Sequence, residues 1–231
     1  MNVRKLLYTV FSISGIVPDH ITVMRILFIG ASILFSIFIL PKYASIDFAI
    51  IYFALSTLVY LGFISAVLPE KGLRCKLIKW LGEEKAYLYY EGFLAFAFLH
   101  NGISLGFISQ SSIGSGPWNQ LSPIVTMVIT VFLFIVGMGT KIWSAYVVGI
   151  PIYYWKDMFL GRKIGNFVVS GPYKYFNNPM YGVGQLQVYA IALYYDSLYG
   201  LIFAAINQAA VFLFYVTVEK PFINRVYRVQ N

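Results

Sequence analysis

Apolar residues run along this chain in long blocks, without the narrow stripe of a soluble amphipathic helix. Four blocks reach the roughly 20 residues a helix needs to cross a hydrocarbon layer: Ile21–Leu40, Ile46–Leu68, Ala86–Ser109 and Pro123–Ile150. The fourth is long enough to project beyond the hydrocarbon or to break near Gly137-Met138-Gly139. A fifth apolar region, Gly182–Val218, is divided by Tyr195-Asp196-Ser197. Its first arm is short for a span and its second, from Leu198, is long enough, so the pattern predicts a helical hairpin that crosses only in part. Residues 1–17 read as an uncleaved interfacial helix, because the apolar stretch is short and runs into Pro18 and Asp19 without a small-residue cleavage site. The expected class is all-α: a polytopic transmembrane bundle of about four spans plus a C-terminal helical hairpin, forming one membrane domain over residues 1–231.

Composition strengthens this reading. Charged residues make up 11 % of the chain and hydrophobic ones 59 %, with a mean hydropathy of +0.73. A soluble domain of this length carries about 25 % charged residues and needs them to cover its surface. The 19 Tyr, 20 Phe and four Trp exceed what a core requires, and their amphipathic rings suit the membrane interface.

Charge then orients the bundle. The net charge of +8 does not mark a nucleic-acid binder, because no segment interleaves basic and aromatic residues on a soluble surface. Arg4, Lys5 and Arg25 precede or open the first span; Lys71, Arg74, Lys76, Lys79 and Lys85 fill the second loop. Lys156, Arg162, Lys163 and Lys174 fill the fourth loop, and Lys220, Arg225 and Arg228 follow the hairpin. Only Lys42 lies opposite, Lys141 lies within the fourth block, and the loop Gln110–Gln120 has no charge. The excess of Lys and Arg on cytoplasmic loops therefore puts both termini in the cytoplasm. The single cysteine, Cys75, allows no internal disulfide.

Polar groups inside apolar spans are costly and are functional candidates by default. Glu91, His100 and Asn101 share the third block, and Asn207-Gln208 the last; the simplest role for each is hydrogen bonding between helices. No His, Cys, Asp or Glu set has metal-ligand spacing, so no metal is expected. The segment Pro18-Asp19-His20-Ile21-Thr22-Val23-Met24-Arg25-Ile26 is similar to the first helix of CDP-alcohol phosphatidyltransferases. The aspartate cluster that family needs on its next helices is missing, which excludes it. Toward the C-terminus, Gly171-Pro172-Tyr173 and Asn177-Asn178-Pro179-Met180-Tyr181 carry turn formers that stop any helix. Irregular backbone at membrane depth is tolerated only where it is buried or lines a cavity. Glu219, just before Pro221, falls where the last helix reaches the interface.

Together these elements resemble the integral membrane methyltransferases that include the phosphatidylethanolamine and phospholipid N-methyltransferases, with isoprenylcysteine carboxyl methyltransferases as relatives. The resemblance covers about the last 100 residues: the Gly137 region, Asn177–Tyr181, Ala192-Leu193-Tyr194, Gly200-Leu201, and Glu219-x-Pro221-Phe222 with Tyr227. It divides the chain into N-terminal spans without a recognised motif, 1–122, and a methyltransferase-like core, 123–231. It implies an S-adenosylmethionine (AdoMet) pocket in the cytoplasmic half of the bundle. The cofactor-binding residues it implies are Gly137, Gly139, Pro172, Tyr173, Asn178, Met180 and Glu219, with Glu219 and Tyr181 as the catalytic pair. Many relatives carry Arg-His where this chain has Asn177-Asn178, which favours the phospholipid branch; many also have a second acidic residue where Lys220 stands. The implied reaction is methylation of a lipid amine head group, phosphatidylethanolamine or its partly methylated forms, towards phosphatidylcholine. The membrane would be the endoplasmic reticulum or a bacterial inner membrane, the partners a phospholipid substrate and membrane lipids, with room for a homodimer. Two alternatives are open: a different membrane acceptor, such as a prenylated cysteine carboxylate or a thiol, or a transport or scaffold protein whose pathway is lined by Glu91, His100, Asn101 and Lys141.

Overall fold

A computed structural model describes residues 2–227; Arg228, counted above among the basic tail residues, lies outside them. Helices account for nearly all regular structure: α1 (Val3–Ile13), α2 (Val23–Leu34), α3 (Ile46–Val67), α4 (Arg74–Leu81), α5 (Glu83–Ser111), α6 (Pro123–Val148), α7 (Ile150–Tyr153), α8 (Lys156–Leu160), α9 (Leu186–Tyr194), α10 (Leu198–Phe214) and α11 (Lys220–Tyr227). Five helical stretches are long and apolar enough to cross a membrane, including Val23–Tyr43 and Leu198–Tyr227. Large apolar side chains such as Val23, Leu58, Ile124 and Leu213 are at least 64 % exposed. An apolar surface of that extent marks an integral membrane protein whose outer face is covered by lipid.

The long stretches contain wide turns with a common cause. Residues Phe35–Ile39 and Tyr215–Glu219 each form a π turn, and the following backbone N–H reaches back five residues, to Phe35 and to Tyr215. In both cases a proline stands two residues beyond, Pro41 and Pro221. Proline has no N–H to donate four residues back, and its ring crowds that carbonyl. The helix accommodates this by widening just upstream. Pro123, by contrast, opens α6, where a missing N–H costs nothing. The break considered near Gly137-Met138-Gly139 does not occur: α6 is continuous for 26 residues and stops at Gly149, whose φ of +84° only glycine adopts freely.

Packing between spans uses small and polar side chains, as expected where the solvent itself is apolar. α3 lies along α5, tied by Ser56 to Ser104 (2.8 Å) and by Asn101 Nδ2 to Thr57 Oγ1 (2.9 Å). α2 joins α5 through Glu91, whose buried carboxylate accepts from Arg25 (2.9 Å) and Tyr87 (3.0 Å) and contacts His20 Nδ1 at 2.7 Å. His100 is held between Ser32 (2.9 Å) and Tyr52 (2.7 Å).

The C-terminal hairpin reaches further than its sequence suggests. Its tip, Tyr195-Asp196-Ser197, is pinned to the loop that follows α5: Gly114 N–H donates to Tyr195 O (3.1 Å) and Gly116 N–H to Asp196 O (2.7 Å). Ser112 and Ser197 hydroxyls meet at 2.6 Å. Both arms therefore extend to the far end of α5. The first arm consists of α9, nine residues or about 14 Å at the α-helical rise, plus the non-helical segment before it. The expected C-terminal helical hairpin is thus present, with irregular backbone continuing its first arm.

Candidate active site

That non-helical segment is built residue by residue. Gly171 has a φ of +61°, and a Cβ there would lie 2.8 Å from Val147 Cγ2 and 3.1 Å from Trp143 Nε1, so glycine alone lets the chain turn against α6. Pro172-Tyr173-Lys174 continue a single 3-10 turn. After Pro179 the backbone closes on itself, with Gly182 N–H to Asn178 O (2.9 Å) and Gly184 N–H to Pro179 O (2.7 Å). The carbonyls this leaves over are met from α10: Gln208 Nε2 donates to Tyr181 O at 2.8 Å and Gly182 O at 3.3 Å. Gln208 in turn accepts from Tyr189 at 2.5 Å. Gln208 thus supports irregular backbone instead of merely linking two helices, whereas Asn207 lines the adjacent cavity.

Beside this segment is a cavity of about 760 Å³. Its walls come from both halves of the chain: Tyr60 of α3, Leu94, Phe98 and Asn101 of α5, Met138 and Lys141 of α6, and the segment from Asn166 to Gln187. Asn207, Tyr215, Glu219 and Tyr227 of the last span close it. At one point Tyr181 donates its hydroxyl to Glu219 Oε2 at 2.6 Å. The π turn ending at Glu219 sets the register that aims this carboxylate inward. Nearby, Asp157 accepts from Tyr227 (2.8 Å) and from the Met158 N–H (2.8 Å). Burial raises the Asp157 carboxyl above its ordinary value, partly offset by these donors. Trp155, on the same short stretch, is held at a φ of +52°, and its ring meets Phe214 edge-on at 5.4 Å.

Of the cofactor and catalytic residues the resemblance implies, Tyr173, Asn178, Met180, Tyr181 and Glu219 line the cavity together, joined by the polar candidates Asn101, Lys141 and Asn207. Pro172 is buried behind Tyr173 and shapes the turn without lining the space. The two glycines depart from expectation. A Cβ on Gly137 would come within 2.4 Å of the Gln187 backbone nitrogen, so Gly137 lets α9 approach α6 and faces that contact. Gly139 is exposed, with nothing within 4 Å of its Cβ position, and does not line the cavity. Met138, between them, does. The cavity also takes residues that no motif indicated: Tyr60, Phe98, Asp157 and Gln187. Only Asp157 left a trace, as an acidic residue set among the aromatics of Tyr153-Tyr154-Trp155. Among the described residues no group of three His, Cys, Asp or Glu could hold a metal ion.

Comparison with known proteins places this geometry. Residues 125–230 match the phospholipid methyltransferase family model. Over 128 residues, 55 % of its length, the chain is 29 % identical to a phosphatidylethanolamine N-methyltransferase of Kluyveromyces lactis, covering 14 % of that protein. Over 94 residues, 41 % of its length, it is 28 % identical to phosphatidylethanolamine N-methyltransferase B of Dictyostelium discoideum, covering 46 % of it. The chain thus spans less than half the length of either relative. No solved structure matches it.

Proposed function

We propose that this chain, whose residues 125–230 match the phospholipid methyltransferase family model, moves methyl groups from AdoMet onto the amine head group of a phosphatidylethanolamine-type lipid. The observation that carries this reading is the hydrogen-bonded pair Tyr181–Glu219 in a cavity walled by the matched region.

The residues present suit such a pair of ligands. The cavity offers aromatic faces at Tyr60, Phe98, Tyr153, Tyr173 and Tyr181, and each face toward a cation is worth about 0.5–2 kcal/mol. It also holds buried polar atoms that no protein group satisfies, Gln187 Oε1, Asn207 Oδ1 and the Tyr153 hydroxyl. These await a partner, since leaving one unmet costs about 1–3 kcal/mol. When bound, AdoMet supplies an electrophilic methyl group on a sulfonium sulfur. Tyr173, Asn178, Met180 and Glu219 would hold it. With Tyr181 donating to Glu219 Oε2, the other carboxylate oxygen would accept a hydrogen bond from a ribose hydroxyl or from the ammonium of the acceptor. An ammonium must lose its proton before its lone pair can react, and the Tyr181–Glu219 pair is placed to take that proton. The larger share of the acceleration is positioning, which can be worth roughly 7–11 kcal/mol when donor and acceptor are held in line.

In this reading the end of the bundle that carries Arg4, the α4 loop and Lys156–Lys174 faces the cytoplasm, and so do both termini. The methyltransferase core of 123–231 is completed by α3 and α5, which wall the cavity opposite the matched region. Calorimetry of the detergent-solubilised protein with AdoMet tests the proposal, followed by transfer of labelled methyl to phosphatidylethanolamine in mixed micelles. Wild type should bind and transfer, Glu219→Ala should weaken binding at least ~10-fold, and Tyr181→Phe should lower kcat by about 10²-fold. Equal AdoMet binding by Glu219→Ala and wild type would overturn the assignment.

A further inference from the structure

Lys141 is the one cavity-lining basic residue that lies within the apolar body of α6, seven residues or about 10 Å from the helix end at Val148. Its Cβ packs beside Gly184, and its ammonium sits 4.9 Å from the centroid of the Phe98 ring. Among the described residues no carboxylate lies within ion-pair distance of it, for the ion pairs involve Glu70, Glu83 and Glu91 only. The two carboxylates that share its cavity are engaged elsewhere, Glu219 with Tyr181 and Asp157 with Tyr227. A cation at membrane depth with only an aromatic face for company lacks most of its compensation. The second observation is independent. Gln187 and Asn207 line the same cavity, are 7 % and 4 % exposed, and each carries an amide oxygen with no partner. The cavity therefore holds one positive charge and two unmet amide acceptors, set among apolar spans.

We propose that Lys141 is the anion anchor of this cavity, binding an anionic oxygen group of a ligand, while the unmet acceptor oxygens of Gln187 and Asn207 take hydrogen bonds from N–H or O–H donors elsewhere on the same ligand. Resting on the methyl-transfer reading, that group is either the phosphate of the lipid head group or the carboxylate of AdoMet. A lysine suits both, as a compact charge on a flexible stem that can follow either group. Its role is positioning: by fixing the anionic end, it decides where the reactive end of the same ligand rests against Tyr181 and Glu219.

Three proteins test this: wild type, Lys141→Met and Lys141→Arg, in nanodiscs. One arm measures affinity for AdoMet and for its decarboxylated analogue; the other measures equilibrium binding of dihexanoyl phosphatidylethanolamine without turnover. Lys141→Met should weaken one of the two ligands by about 10- to 100-fold, as the loss of a hydrogen bond to a charged group warrants. Lys141→Arg should recover most of it, and thermal unfolding should stay unchanged for both variants. If AdoMet weakens while its decarboxylated analogue binds both proteins equally, the anion is the carboxylate. If the lipid weakens instead, the anion is the phosphate. If wild type and Lys141→Met bind both ligands equally, the anchor is overturned while the methyltransferase reading stands. If wild type binds no AdoMet, that reading falls, and the lipid arm still decides Lys141.

Discussion

Gly137 and Gly139 look equivalent in a Gly-x-Gly motif, yet tertiary contacts separate them. A methyl group on Gly137 meets the Gln187 backbone at 2.4 Å, whereas one on Gly139 meets nothing. Gly137→Ala should therefore destabilise by about 1–3 kcal/mol through overpacking against α9, and Gly139→Ala should be neutral, both read by unfolding in detergent. Comparable losses for the two would mean that the glycines act on a shared ligand and not on helix packing. Asp157 yields a second outcome at this scale. Burial raises its carboxyl in the folded protein, so the unfolded chain ionises first as pH rises. Between the ordinary value near 3.8 and the raised one, the unfolded state binds fewer protons, and stability falls as pH increases. Relative to Asp157→Asn, wild type should lose stability across that window and level off above it. A constant difference between the two proteins from pH 3 to pH 8 would contradict this sign.

Among the elements, the π turn at Tyr215–Glu219 is the one on which the site depends most directly. Pro221 removes the N–H that would close an ordinary turn, and the extra residue re-aims Glu219 by a large fraction of a turn. Pro221→Ala restores that donor. The last span should then regain α geometry, with stability unchanged or raised, while Glu219 swings off Tyr181 and methyl transfer falls at least ~10-fold. Full activity with intact AdoMet binding would show that the turn does not position the carboxylate. The same element logic covers the first arm of the hairpin. Its nine helical residues are continued by irregular backbone whose Tyr181 and Gly182 carbonyls are satisfied by Gln208, which a lipid-facing strand of chain could not do for itself.

For the whole molecule, the crossing count follows from the hairpin. On the proposed topology α2, α3, α5 and α6 cross once each, and the arm ending in α9 and the span beginning at α10 add two more, their shared tip being bonded to the loop after α5. An even count would return the C-terminus to the side of the N-terminus, which is the topology proposed from the basic residues. Cys75 is exposed at the end of the bundle assigned to the cytoplasm, so a membrane-impermeant maleimide should label it in inside-out vesicles alone. In a Cys75→Ser background, Ile113→Cys, exposed in the opposite loop, should be labelled from the other side; labelling of both from one side would refute the topology. The class of the molecule and five of its cavity-lining residues were legible in the linear pattern. Hydrophobic block length and charge asymmetry are local sums that any fold must respect, and Tyr173, Asn178, Met180, Tyr181 and Glu219 sit in short motifs. The reach of the hairpin, the unlike roles of Gly137 and Gly139, and the convergence of Tyr60, Lys141, Asp157 and Gln187 on one space were decided by tertiary structure. Those features depend on which helix faces lie opposite one another across gaps of many residues, and no run of neighbouring residues encodes that.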